Sequence, residues 1–332
     1  MIQGSKMVIG EGNTMRNTIL YGDCRDTLKQ FDEQARTCVT SPPYYGLRDY
    51  GGEENQIGQE KTPEEFIDQL VNVFKEVRNV LTDDGTLWVN LGDSYYNYRP
   101  GKGQSYPKQS VSKTNQDLPT QCNKRGNKLD GLKEKDLIGI PWMFAFAMRS
   151  DGWYLRQDII WHKPNPMPES VKDRCTKSHE YIFLLSKNKK YYYDNEAIKE
   201  PVKKDWGKRD RTSGKYHNPG TGIQPHSGLT KSYDRKNKRD VWSITNKPYK
   251  GSHFAVFPPD LITPCILAGS EKGDIILDPF MGSGTTAMVA KQLGRDYIGC
   301  ELHEEYSNLI DQRVPVEQVA QETTNPLADL LY

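Results

Sequence analysis

The segment Asp274-Ile-Ile-Leu-Asp-Pro-Phe-Met-Gly-Ser-Gly-Thr-Thr286 constrains the fold more than any other stretch of the chain. Its apolar run reads as a short buried strand, and the Gly-rich turn that follows ends it. Thr285–Leu293 then continues with helical spacing. A strand that feeds a helix through a tight turn is the first half of a βαβ unit, and such units build parallel sheets. Gly282 and Gly284 let backbone approach a ligand with no side chain between, and the helix offers free N–H groups and the positive end of its dipole. Asp278, at the strand's end, can hold a polar or cationic ligand group. The next strand, Asp296-Tyr-Ile-Gly-Cys-Glu301, ends in an acid about 20 residues beyond the turn, the place from which dinucleotide folds bind ribose hydroxyls. No GxxxxGK[ST] occurs, so a P-loop phosphate site is not supported.

The alternation extends along the chain. Thr37–Thr40, Thr86–Leu91, Leu155–Trp161, Tyr181–Leu185, Ile275–Leu277 and Tyr297–Cys300 read as buried parallel strands. Pro63–Leu81 carries Phe66, Ile67, Leu70, Val71, Val73, Phe74 and Val77 at helix spacing, with Thr62 as N-cap and Pro63 at the first helical position. Asp136–Ser150 reads as a further helix. The expected fold class is α/β, a doubly wound, mostly parallel, Rossmann-like sheet. Two regions rich in polar residues interrupt the pattern, Asp93–Lys135 and Ser186–Lys250, and the chain from Pro315 onward reads as a loose tail.

Thr40-Ser-Pro-Pro-Tyr44 follows one of the strands. Consecutive prolines cannot continue a central strand, so they make a rigid turn at its carboxyl end, where open α/β sheets bind ligands. That turn carries a hydroxyl (Ser41), a carbonyl (Pro42) and an aromatic ring (Tyr44). The two acceptors suit an amino group, and the ring suits a stacked heterocycle.

Ser41-Pro-Pro-Tyr44 together with Asp278-Pro-Phe-Met-Gly-Ser-Gly-Thr-Thr286 resembles the amino-methylating DNA methyltransferases, which act on cytosine N4 or adenine N6. The catalytic motif precedes the cofactor motif, as in the circularly permuted β-class arrangement. Leu87–Tyr95, Trp161–Asn165 and Ser178–Tyr181 match further blocks, and the resemblance covers roughly two thirds of the chain. It implies S-adenosylmethionine as cofactor, held by Asp278, Phe280, Gly282, Gly284, Thr285 and Glu301. It places Asp23, in Leu20-Tyr-Gly-Asp-Cys24, at the cofactor adenine. It assigns closure over the methionine end to Gly251–Pro258, with His253 and Phe254. Ser41, Pro42, Pro43 and Tyr44 are the implied catalytic residues. The corresponding parts are a catalytic part at 15–185 with a polar insert at 93–135, a target-recognition region at 186–250, a cofactor part at 251–314 and a tail at 315–332.

The chemistry follows from the amine. Its lone pair is delocalised into the ring, so it is a poor nucleophile. Ser41 Oγ and the Pro42 carbonyl would bind its hydrogens, favour a tetrahedral nitrogen and aim the lone pair at the sulfonium methyl, with positioning and electrostatics supplying the acceleration. A base inside a duplex cannot reach the turn, so it must be flipped out. Pro264-Cys265 resembles the nucleophile of cytosine-C5 enzymes only superficially, because its neighbours read as a helix, and Cys265 is expected to be structural. Ser41 stands where many adenine enzymes of the family carry an acid, so cytosine N4 is favoured, with adenine N6 on the same fold as the alternative.

Charge points to the partner. The net charge of the chain is +1, yet Ser186–Lys250 holds 17 Lys and Arg against seven Asp and Glu, leaving −9 for the rest. A near-neutral protein with its cations concentrated in one segment carries the footprint of a polyanion-binding module. The expected partner is double-stranded DNA, with Lys236, Lys238 and Arg239 among the phosphate contacts. RNA or protein-amide methylation uses related Pro-Pro-Tyr motifs, and the basic segment argues against an amide substrate. A purely DNA-binding role is disfavoured by the intact cofactor turn. A cognate restriction endonuclease and a monomeric or homodimeric state are compatible with the reading. The six cysteines form no CxxC pair, so no metal is expected. No apolar run of membrane length and no secretory h-region is present, so the expected compartment is the cytoplasm.

Overall fold

Thr62 starts the longest helix among the described residues with a reciprocal cap. Its side chain accepts from the Glu65 N–H at 3.1 Å, and the Glu65 carboxylate accepts from the Thr62 N–H at 3.3 Å. Pro63 follows at the first helical position, where a missing N–H costs nothing. The computed structural model, which describes residues 15–46, 56–96, 129, 131–202, 234–246 and 257–314, runs this helix as α2, Pro63–Val80. Its apolar face, with Phe66, Leu70, Val73, Phe74 and Val77, is fully buried. Each such side chain contributes about 1.5–3 kcal/mol on burial.

The strands in chain order are β1 (Thr18–Tyr21), β2 (Ala35–Thr40), β3 (Leu81–Leu91), β4 (Tyr154–His162), β5 (His179–Ser186), β6 (Glu200–Pro201), β7 (Arg235–Lys236), β8 (Val241–Ser243), β9 (Ile275–Asp278) and β10 (Asp296–Glu301). Eight of them form one sheet in the order β1-β10-β9-β2-β3-β5-β4-β8, and β6 pairs with β7 separately. The helices besides α2 are α1 (Cys24–Thr27), α3 (Ile140–Ser150), α4 (Pro259–Gly269), α5 (Thr285–Gln292) and α6 (Ser307–Arg313). Side chains alternate between the faces, as the two-residue strand period requires. Cys38, Leu87, Leu277 and Cys300 join α1, α2 and α3 in one core, and Val39, Trp88, Ile276 and Tyr297 join α4, α5 and α6 in the other. The sheet is therefore doubly wound, as expected.

Three expectations need correction. Tyr181–Leu185 lies in β5, which runs antiparallel to both β3 and β4. The connection from β4 to β5 has no crossover helix, so the two strands can only pair as a hairpin. The helix expected from Asp136 begins at Ile140, because Gly139 takes a left-handed conformation (φ 88°) and the Asp93 carboxylate accepts the N–H groups of Gly139 and Ile140 at 3.0 and 3.1 Å. The strand expected to be buried at Leu155–Trp161 lies in β4, whose first half is largely exposed, with Arg156, Gln157 and Asp158 facing solvent; β8 pairs with β4 in parallel and buries Trp242. The expected Cys265 role agrees with its position, buried inside α4 with its thiol pushed up by burial. No helix among the described residues is long and apolar enough to cross a membrane.

Removing the reciprocal cap with Thr62→Ala should lower the unfolding free energy by about 1 kcal/mol. Urea denaturation monitored by circular dichroism would measure this.

Candidate active site

The strand β9 ends at Asp278 and β2 ends at Thr40, and the two are neighbours in parallel register. The chain leaves β9 for α5 on one face and leaves β2 for α2 on the other. That divergence opens a crevice at the carboxyl ends of the strands, the place where open α/β sheets bind ligands. The Gly-rich turn and the Ser-Pro-Pro-Tyr turn, more than 230 residues apart in sequence, are the two lips of this crevice.

A single buried carboxylate joins them. Asp278 is 1% exposed, and its oxygens accept from Thr40 Oγ1 at 2.6 Å, Thr286 Oγ1 at 2.6 Å and the Phe280 N–H at 3.0 Å. Thr40 immediately precedes Ser41, and Thr286 lies in the first turn of α5. Burial raises the Asp278 pKa to about 6, against the pull of these three donors. The motif alone points Asp278 at a ligand. The structure turns its carboxylate to the protein, so it positions the two turns and does not reach outward.

The other two acids also hold turns. Glu301 accepts from the Gly282 N–H at 2.7 Å and the His303 N–H at 3.0 Å, and burial raises its pKa. Each of its oxygens keeps a second lone pair for a hydroxyl. Asp23 caps α1 by accepting from the Arg25 N–H at 2.9 Å, and its side chain pairs with the Arg25 guanidinium. Burial pulls the Asp23 carboxyl up, but the Arg25 contacts outweigh it and leave the pKa below the usual value. Gly22, one residue earlier, donates its N–H to the Glu301 carbonyl at 2.8 Å, so the ends of β1 and β10 stay together.

The glycines of the turn serve conformation and packing. Gly282 and Gly284 have φ values of 54° and 77°, and a Cβ at Gly284 would lie 3.2 Å from Ile310 of α6. Thr285 Oγ1, at the head of α5, is buried with no partner among the described residues. This orphaned hydroxyl, the spare acceptors of Glu301 and the side-chain-free turn fit a bound polar group. Phe280 is half-buried against the core. His253 and Phe254 lie outside the described residues.

At the other lip, Pro42 is buried while Ser41, Pro43 and Tyr44 are half-buried. The Gly58 loop braces the turn from behind, close to Pro43 and the Tyr44 carbonyl. The Tyr44 hydroxyl donates to Glu180 Oε2 at 2.7 Å, and the Ser41 side chain and the Gly92 N–H approach its oxygen. Burial, then the charge of Glu180 and the bond to it, push the tyrosine well above its ordinary pKa. Gly92 is required here, because a Cβ would lie 2.6 Å from the Tyr44 ring. Glu180 in turn pairs with Lys163 and accepts from Asn90 Nδ2 at 3.3 Å. Tyr44 is therefore not a free ring. Its orientation is fixed by a polar cluster drawn from β3, β5 and the end of β4.

Sequence reasoning missed the functional weight of Thr40, Thr286, Glu180, Lys163 and Asn90. Glu180 and Lys163 stood in recognised blocks, but nothing in one dimension shows that the β4–β5 hairpin brings them together under Tyr44.

The DNA methylase family model matches residues 35–312, which spans both lips of the crevice. The chain is a DNA methylase of the N6/N4 family. Type II methyltransferase M.SmaI of Serratia marcescens is 47% identical to it over 305 residues, covering 92% of each chain. M.Cfr9I of Citrobacter freundii is 45% identical, covering 90% of this chain and 88% of its own. Among solved structures, the cytosine-N4-specific PvuII DNA methyltransferase superposes with a TM-score of 0.57 at 18% identity, covering 96% of this chain and 92% of its own. A DNA modification methylase structure from Thermus thermophilus, complexed with S-adenosyl-L-methionine, superposes with a TM-score of 0.53 at 22% identity, covering 92% and 98%. These likenesses are of fold.

In the methylase, the Asp278 clamp carries a pH signature. An aspartate titrates near 3.8 when its environment is ordinary, and near 6 in this buried site. The folded state therefore holds the proton to higher pH than the unfolded state does, so this group's contribution to stability falls as pH rises from about 4 to about 6. Asp278→Asn should remove that decline, measured by urea unfolding across the window. A variant with the same pH slope as the native protein would overturn the assignment.

Proposed function

We propose that this methylase transfers the methyl group of S-adenosylmethionine to the exocyclic N4 of cytosine in double-stranded DNA, on a base flipped out of the helix. The observation that carries the reading is Ser41, a hydroxyl residue, at the head of a rigid turn that faces the Gly-rich turn across the crevice. Many adenine enzymes of the family have an acid at that position.

When bound, S-adenosylmethionine supplies an electrophilic sulfonium methyl. Asp23, Phe280, Gly282, Gly284, Thr285 and Glu301 form the cofactor side, with Glu301 free to accept from ribose hydroxyls and Thr285 to gain its missing partner. His253 and Phe254 complete that side in this reading. Asp278 holds the cofactor turn at a fixed distance from Ser41. On the substrate side, Ser41 Oγ and the Pro42 carbonyl bind the amine hydrogens, and Pro43 keeps the turn rigid. Tyr44 offers a ring whose tilt is set in advance by Glu180, which lowers the ordering cost of stacking the base.

The three cations expected to hold phosphate are engaged otherwise. Arg239 and Lys236 face Glu200 at 3.0 and 3.8 Å, and Lys238 sits over the Trp242 ring and is lowered in pKa by burial. Phosphate contact is assigned instead to the segment's other cations, among them Lys203, Lys204, Lys208, Arg209 and Arg211. DNA affinity should fall with salt at a log–log slope of about −0.9 per phosphate contact. Neutralising those five should flatten the slope in a filter-binding titration, and neutralising Lys236, Lys238 and Arg239 should leave it nearly unchanged.

The base assignment is decided by digesting methylated DNA to nucleosides and separating them by mass spectrometry. N4-methylcytosine is expected, and N6-methyladenine in its place overturns the assignment. Ser41→Ala should cut single-turnover methyl transfer by about 10²-fold or more while cofactor affinity by calorimetry stays within about twofold, because the lost interaction belongs to the transition state.

A further inference from the structure

Met167 is 83% exposed, far more than any other large apolar side chain among the described residues. It stands on the connection between β4 and β5, residues 163–178. The strand β4 runs parallel to β8 and antiparallel to β5, and β5 runs antiparallel to β3. The end of β4 therefore lies on the same edge of the sheet as the ends of β2 and β9. The connection rises from the rim of the crevice, beside the pocket that holds Tyr44.

This is a built loop. Its base is closed by the Lys163 N–H donating to the Ser178 carbonyl at 2.8 Å and by the Lys163–Glu180 pair. Asn165 is bound in both directions to the backbone of Asn246, at 3.1 and 3.0 Å. Arg174 pairs with Glu169 at 2.5 Å and lies 3.9 Å over the Tyr95 ring. Pro164, Pro166 and Pro168 alternate around the tip, fixing φ at every second residue. The loop is thus rigid at the point where it holds an apolar side chain in water. It also carries Lys163, Lys172, Arg174 and Lys177 against Glu169 and Asp173, a net positive charge.

A base that leaves the helix opens a gap in the stack. Proteins that distort duplexes fill or force such gaps with apolar wedges, methionine and proline among them. Methionine suits the task, being long, unbranched and polarizable against aromatic faces. We propose that Met167 enters the duplex at the target step when the base swings into the crevice, with the rigid Pro-Met-Pro tip as wedge and the exposed Lys172 beside the flanking phosphates. This rests on the base-flipping reading above. The partner is double-stranded DNA and no other polymer.

The test uses the full-length enzyme and a duplex bearing the site found by sequencing methylated DNA. Single-turnover methyl transfer is compared on the paired duplex and on one with the target base opposite a mismatch, where extrusion is already easier. Met167→Ala should slow transfer about tenfold or more on the paired duplex and less than about threefold on the mismatched one, with cofactor affinity unchanged. Because Met167 is exposed, the variant should unfold at the native urea midpoint. Equal losses on both duplexes, or no loss on either, overturn the wedge. The native enzyme supplies the separate control. If it binds paired and mismatched duplexes equally, base flipping itself fails and the wedge fails with it. A native preference for the mismatch combined with equal losses in Met167→Ala overturns the wedge alone.

Discussion

The Asp278 carboxylate, bonded at once to Thr40 and Thr286, is the contact on which the site depends. Each lip of the crevice could be built by its own strand and turn. Their separation, however, is set by a side chain that touches both. A buried carboxylate is costly unless its acceptors are filled, and here two hydroxyls and one backbone N–H fill them. The same arrangement recurs along the sheet edge, where Glu301 fastens the Gly-rich turn and Asp23 fastens the turn after β1. Acids that sequence patterns mark as ligands are first of all the groups that hold the backbone where a ligand can meet it.

The aromatic side follows a parallel logic. Tyr44 has a rigid proline turn before it and a buried acceptor at its hydroxyl, so its ring has little freedom left. Glu180 is itself held in place, paired with Lys163 and accepting from Asn90. The ring orientation is thus determined by the β4–β5 hairpin, the antiparallel element of the sheet. A change in that hairpin would reach the substrate through Tyr44 without any direct contact.

The strands and the long helix were legible in the sequence because burial on both faces leaves continuous apolar runs, and one-sided burial leaves helical spacing. β1 and β8 were harder to see, being four and three residues long. The antiparallel sense of β5 was illegible, since an apolar run has no direction. The start of α3 was misplaced because its cap is Asp93, some 46 residues upstream. The two motif turns were legible as motifs, Gly282 and Gly284 by type and Pro42 and Pro43 by rigidity. The roles of Thr40 and Thr286 were not, because a threonine at a strand end looks like any other until its partner across the sheet is known.

The strand order has a consequence for how the molecule is made. Among the described residues β9 and β10 are the last strands in sequence, and they lie between β1 and β2, the first two. A nascent chain that has emerged as far as α4 therefore carries two unpaired parallel edges where the middle of its sheet should be. Such edges invite pairing with other chains, and closing them requires contacts between the far ends of the sequence, which slows folding. It also means that a ribosome stalled before Asp278 has produced a protein with one lip and no crevice. DNA methylation thus waits until β9 and β10 have been made and paired, so the connectivity of the sheet alone keeps a partial chain inactive.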